Sequence, residues 1–225
     1  MRGSIHVRCV MVFSQFQNIK KKDDYMTTPN IHIKNPKPTK IKQFANPKPK
    51  EWLAKDLSKG LYADWKFPSV SDGNGVRGSL FVSGCMFHCH NCFNASIWNF
   101  NNGKPFTKDV QDKIIQDLSH SYVQGLTLLG GEPFLNTNIL IPLIDRVRKE
   151  LPTKDIWSWS GYTWEELLKD SDDKLEMLSK LDVLVDGRFD ERLKAGDHPF
   201  RGSSNQRIID VPASLKQHKL IKLME

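Results

Sequence analysis

From Glu51 onward, short apolar runs alternate with stretches whose apolar positions recur every three or four residues. Residues 79–83 (SLFVS) read as a strand. Over 107–122 the spacing puts Val110, Ile114 and Leu118 on one face, behind a threonine able to cap the first turn, and so predicts a helix. Residues 125–129 (GLTLL) predict a strand. A helix over 138–151 follows, with Leu140, Leu143, Val147 and Leu151 inward, then a strand over 155–160 (DIWSWS). Thr163 and Glu166 have the spacing of a capping box for a short helix. A further helix over 171–181, a buried strand over 182–186 (DVLVD) and a last strand over 207–211 complete the reading. Strand and helix in alternation predict a largely parallel sheet with right-handed crossovers. In such sheets ligands gather at the carboxyl ends of the strands. The cysteines come after SLFVS, Gly130-Gly131-Glu132 after GLTLL, Gly161 after DIWSWS and Gly187 after DVLVD.

Residues 1–50 break this pattern. They are rich in Lys, Asn and Pro, and NPKP occurs at 35–38 and again at 46–49. Proline at that density blocks helix and sheet, which predicts an extended tail or linker over 1–50 and a domain over 51–225. The tail carries eleven Lys/Arg against two acids, a net of +9, and the remainder carries 22 against 24. The formal charge of +7 therefore belongs to the tail, and the globular part has no electrostatic footprint for nucleic acid. No run nears the roughly 18 apolar residues of a membrane span. The first residues lack a signal-peptide pattern, because Arg8 interrupts the apolar patch and no small-residue cleavage site follows. Met26 stands where an alternative start could lie.

Three of four cysteines, Cys85, Cys89 and Cys92, fall within SGCMFHCHNC (83–92), and Cys9 is remote, a spare thiol. Clustered thiols without an export signal point to a reducing cytoplasm and to metal or redox chemistry. Two readings are open on spacing. With His88 or His90 as fourth ligand the loop could close a zinc site, although structural zinc ligands usually come as two separated pairs. Alternatively, three thiolates could hold a [4Fe–4S] cluster and leave one iron free to chelate a small molecule. Gly130 and Gly131, following a strand, would let backbone approach a ligand without a Cβ in the way.

Gly73-x-Gly75-x-Arg77, Phe81, Gly84-Cys85 and Cys85-x-x-x-Cys89-x-x-Cys92-x-Asn94 together resemble the signature of radical S-adenosylmethionine enzymes that install a glycyl radical on a partner. LLGGEPF (128–134), DIWSWSGYTWEEL (155–167), DVLVDGRF (182–189) and RGSSNQR (201–207) look like the activating proteins of anaerobic ribonucleoside-triphosphate reductases. The resemblance covers about 48–211. It implies an α/β fold, an open partial (β/α)6 barrel of near six strands. It also implies a [4Fe–4S] cluster on Cys85, Cys89 and Cys92 and S-adenosylmethionine on the open iron, with Gly130, Gly131 and Glu132 meeting the methionyl amino group. Asn91 and Phe93 would line the adenine side, Asn91 standing where many relatives have an aromatic residue. His88 and His90 would shield the cluster. Gly78 stands where some relatives have another cysteine, so no fourth local thiol is expected. The implied reaction is reductive cleavage of the cofactor to methionine and a 5′-deoxyadenosyl radical, which takes hydrogen from a glycine of the large catalytic subunit. A low-potential donor such as a flavodoxin would supply the electron. Ser158, Ser160 and Asp186 are candidates for ribose or carboxylate contacts, and Arg201, Ser203, Asn205 and Gln206 for cofactor or partner. Trp157, Trp159 and Trp164 read as core or interface. The rivals are an activase of pyruvate formate-lyase type, a small-molecule radical enzyme such as a deazaguanine synthase, and a zinc-stabilised interaction module.

Overall fold

The computed structural model describes residues 44–194, 196 and 199–224. Cys9, Met26, the first NPKP and most of the basic tail lie outside them. One eight-stranded mixed sheet organises the domain, with strands β1 (Leu61–Ser69), β2 (Val76–Val82), β3 (Lys104–Pro105), β4 (Val123–Gly130), β5 (Asp155–Trp159), β6 (Val183–Asp186), β7 (Arg207–Asp210) and β8 (Lys222–Met224). Their order is β3-β1-β2-β4-β5-β6-β7-β8, and the sheet is open, with β3 and β8 at its edges.

The expected parallel arrangement holds only in the centre. β2, β4, β5 and β6 pair in parallel, whereas β1 with β2, β1 with β3, β6 with β7 and β7 with β8 are antiparallel. Eight strands replace the near six expected. The reason is the connections: a parallel return needs a crossover of a dozen or more residues, usually a helix. Helix α2 (Lys108–Leu118), after a short first helix α1 (Ala54–Leu57), precedes β4. Helix α3 (Thr137–Glu150) precedes β5, and α4 (Trp164–Leu167) with α5 (Asp172–Ser179) precedes β6. The described residues of 70–75 and of 187–206 form no α-helix, and the strands these segments join, β1 with β2 and β6 with β7, run antiparallel.

Local signals behave as their chemistry dictates. Thr107 Oγ1 accepts from Val110 N at the start of α2, and Thr163 and Glu166 form both bonds of the capping box on α4. Ile114, Leu118, Leu140, Leu143 and Val147 are fully buried, and the core they enter also holds Leu80, Val82, Leu126 and Leu128 of the central strands. Arg207–Asp210 is a strand, but Val211 opens a further helix, α6 (Val211–Gln217), whose first turn is capped by Asp210. Helices α2, α3, α5 and α6 contact one another in that order, forming one row. Residues 44–50, assigned to the linker from composition, already touch the body: Ala45 N donates to Phe87 O at 2.9 Å and Phe44 packs on the core. No helix among the described residues is long and apolar enough to cross a membrane.

Candidate functional site

Glycine and thiol positions decide the site. β2 ends at Val82, and the chain turns at Gly84, whose φ of +92° suits a residue without a side chain. An added Cβ there would run into the Phe100 ring. The cysteine loop then passes over the end of β4. Gly131 N donates to Val82 O and Glu132 N to Gly84 O, both at 2.8 Å, which stitches the two strand ends together. Inside the loop, Gly84 N and Cys85 N donate to Ile97 O and Trp98 O.

A cleft of about 220 Å³ opens at these strand ends. Cys85, Cys89 and Cys92 all line it as free thiols, together with Gly130, Gly131 and Glu132 from the end of β4, Ser160 and Gly161 from the end of β5, and Gly187 from the end of β6. Phe87, Phe93, Trp159 and Phe189 supply apolar wall, and Gln206 polar wall. A larger cavity, about 620 Å³, lies at the starts of α3 and α5 beside Lys50 and Leu53, but contains no cysteine or histidine. Chemistry, not size, therefore places the site.

Glu132 is buried, yet its carboxylate is well supplied with donors. Oε1 accepts from Phe134 N at 3.0 Å and Ser160 Oγ at 2.9 Å, and Oε2 accepts from Gly161 N at 2.8 Å. Burial outweighs these bonds and pushes its pKa up to about 7. Burial also pushes the Cys85 thiol far up, reinforced by Glu132, and the Cys89 thiol to about 11, reinforced by Cys92. Backbone amides oppose this, Phe87 N toward Cys85 and Phe189 N toward Cys89. Asn94 N donates to Cys92 Sγ at 3.4 Å. Thiols held protonated by burial ionise when a metal supplies positive charge, and amides aimed at sulfur suit thiolate ligands. The donor set fits an iron–sulfur cluster.

The histidines have partners of their own. His88 sets its ring against Trp98, 4.8 Å between centroids, and His90 faces Glu191 at 3.5 Å. No three His, Cys, Asp or Glu side chains among the described residues converge closely enough for a single metal ion. A cubane cluster instead spreads its thiolates over separate corners.

Other sequence candidates divide. Phe93 lines the cleft with its ring 5.5 Å from that of Phe189. Asn91, at φ +52°, lies outside the lining and donates to Glu191 Oε1 at 2.6 Å. Ser160 reaches Glu132, whereas Ser158 is buried and donates to Trp159 O. Asp186 is buried behind the cleft, accepting from Trp164 N and from Arg207. Within RGSSNQR, Gln206 holds Gly187 O with its amide and accepts from Gly202 N, Asn205 holds Arg188 O, and Ser203 accepts from Asp190 N. Arg201 donates to Gln206 O. The segment thus shapes the loop that leaves β6. Trp159 lines the cleft, while Trp157 and Trp164 are buried. Sequence reasoning missed Phe87, Phe189 and Arg188. The last two sit in the quoted DVLVDGRF, one and two residues past a strand-ending glycine.

A family model described as a 4Fe-4S single cluster domain matches residues 71–209. The anaerobic ribonucleoside-triphosphate reductase-activating proteins of Salmonella typhi and Escherichia coli (strain K12) are each 43% identical to this chain over 143 residues, 62% of it and 91% of theirs. The protein of that name from Enterobacteria phage T4 is 41% identical over 139 residues, 61% of this chain and 85% of its own length.

Proposed function

The chain belongs to the family of anaerobic ribonucleoside-triphosphate reductase-activating proteins, and from that premise we propose how its cleft does the activating. Cys85, Cys89 and Cys92 would hold a [4Fe–4S] cluster, with S-adenosylmethionine beside it. The reductase is the partner. The observation that carries this reading is the meeting of all three thiols with the Gly130-Gly131-Glu132 turn in one cleft. When bound, these groups would supply the reductive radical chemistry that converts a glycine of the partner's large subunit to a glycyl radical.

The chain's own residues bind, orient and exclude. Gly130, at φ +103°, and Gly131 present backbone without side chains where the methionyl end of the cofactor approaches. Oε2 of Glu132 accepts only one of the bonds described above, which leaves it able to accept from an ammonium. Phe93 and Phe189, whose rings pack 5.5 Å apart on the cleft wall, would flank the adenine side. On this reading the run β1-β2-β4-β5-β6-β7 serves as the open barrel of six strands, and a low-potential donor such as a flavodoxin reduces the cluster in the cytoplasm.

The test is an electron paramagnetic resonance spectrum of the full chain, reconstituted anaerobically with iron and sulfide and then reduced. A [4Fe–4S] signal that changes shape on adding S-adenosylmethionine is expected. A reconstituted chain that holds no iron, or a signal indifferent to the cofactor, would overturn the reading.

A further inference from the structure

We propose that Arg188 is a positioning residue for the iron–sulfur centre, seating the cysteine loop through Ala45 and Phe87 and favouring the reduced cluster with its charge. The inference rests on the cleft being a cluster site. Arg188 follows Gly187 at the end of β6, and its side chain is 7% exposed. Four directed bonds fix its guanidinium. Nε donates to Ala45 O at 3.0 Å, Nη1 to Gly161 O at 3.3 Å, and Nη1 and Nη2 to the two oxygens of Glu166 at 2.8 and 2.9 Å.

The same group lies over the ring of Phe87, 4.6 Å from guanidinium carbon to centroid, and 5.7 Å from that of Phe44. Phe87 is the residue midway between Cys85 and Cys89, and its carbonyl accepts from Ala45 N at 2.9 Å. Arg188 therefore grips the loop twice, once on the Phe87 face and once through the backbone of Ala45. Its neighbour Phe189 aims a backbone amide at Cys89 Sγ. Gly161, whose carbonyl it also holds, lines the cleft and donates to Glu132.

A buried cation here has an electrostatic consequence. Three thiolates on an oxidised [4Fe–4S] core give the centre a net charge of −1. One electron from the low-potential donor makes it −2. A guanidinium in a low-dielectric site stabilises the more negative form, and local charge is among the factors that set cluster potential. Glu166 offsets part of this charge and Glu132, on the cleft wall, opposes it, so the remaining bias is modest. Lysine would keep the charge but lose the planar fork that holds Ala45, Gly161 and Glu166 together.

The experiment is a redox titration monitored by electron paramagnetic resonance, with iron and sulfide analysis, on the reconstituted full chain and on Arg188→Met, Arg188→Lys and Glu166→Gln. Arg188→Met is expected to bind iron yet be reduced about tenfold less favourably, a shift of about 59 mV to lower potential for one electron. Arg188→Lys should recover most of that shift. Glu166→Gln, which removes the counter-charge while a glutamine can still serve the capping box, should shift the opposite way. Equal potentials in Arg188→Met and the parent, or shifts of the same sign in Arg188→Met and Glu166→Gln, would overturn the proposal. So would loss of the cluster in both Arg188 variants with no shift in Glu166→Gln, leaving Arg188 a scaffold residue only. A parent chain without any cluster would instead overturn the cluster reading itself.

Discussion

Gly161 N donates to Glu132 Oε2 at 2.8 Å, so the carboxylate that ends β4 also holds the loop that ends β5. Phe134 N and Ser160 Oγ complete its set of donors. Glu132→Ala would strand these three groups in a buried site, and each unsatisfied donor costs on the order of 1 kcal/mol or more. Urea unfolding should show a loss of about 3 kcal/mol, with S-adenosylmethionine no longer altering the cluster spectrum.

The cysteines separate cleanly by position. Cys85→Ala, Cys89→Ala and Cys92→Ala each remove a thiol from the cleft and should each abolish stable iron loading and cofactor cleavage. Cys9→Ala should leave iron content unchanged. Iron and sulfide analysis after anaerobic reconstitution distinguishes these outcomes.

Gly131 tests the stitching of β2 to β4. A Cβ there would run into the carbonyl of Gly84, which is backbone and cannot swing aside. Gly131→Ala should cost about 1–3 kcal/mol by overpacking and should lower iron occupancy, because Gly84 immediately precedes Cys85. Gly196→Ala, whose Cβ would meet nothing within 4 Å, is the control and should change neither.

Lys174 and Asp170 form a buried ion pair at 2.7 Å, and Lys174 Nζ also donates to Trp52 O at 2.6 Å. Lys174→Met leaves Asp170 charged, buried and without its counter-ion. A loss of about 3–5 kcal/mol is expected from a broken buried pair. Replacing both, Lys174→Met with Asp170→Leu, should cost less than the single change, which a double-mutant cycle in urea would measure.

Asp173 gives a pH signature. Burial raises its pKa, but the nearby Ser171 hydroxyl, the hydrogen bond from Thr137 Oγ1 at 2.5 Å and the Lys174 charge outweigh this and hold it below its ordinary 3.8. A depressed carboxylate pKa contributes stability above the unfolded value, lost as pH falls through the folded one. Thermal unfolding should therefore show Asp173→Asn less stable than the parent near neutrality, with the gap closing only below about pH 4.

Much of this was legible because the signals are local. Apolar spacing placed the central strands and their crossover helices, since a helix face or a buried strand must repeat its own period. The capping threonines Thr107 and Thr163 act within three residues of themselves. β1 was not recognised, although Asp64 and Lys66 alternate with Trp65 and Phe67, and Pro68 interrupts the pattern near its end. The antiparallel directions of β1, β3, β7 and β8 depend on which distant edge each strand finds.

The site divides in the same way. Cys85, Cys89 and Cys92 share eight positions of one loop, so the sequence by itself determined that three thiols stand together, and the residue types at the strand ends determined where a ligand could approach. Only the tertiary structure decided that Ser160 and Gly161 close on Glu132 across some 28 residues of chain, that His88 meets Trp98 and His90 meets Glu191, and that Arg188 bridges Ala45, Gly161, Glu166 and Phe87. A chain encodes spacing along itself directly. Which buried charge faces which ring or carbonyl follows from how the strand ends converge, and that is set by the packing of the whole sheet.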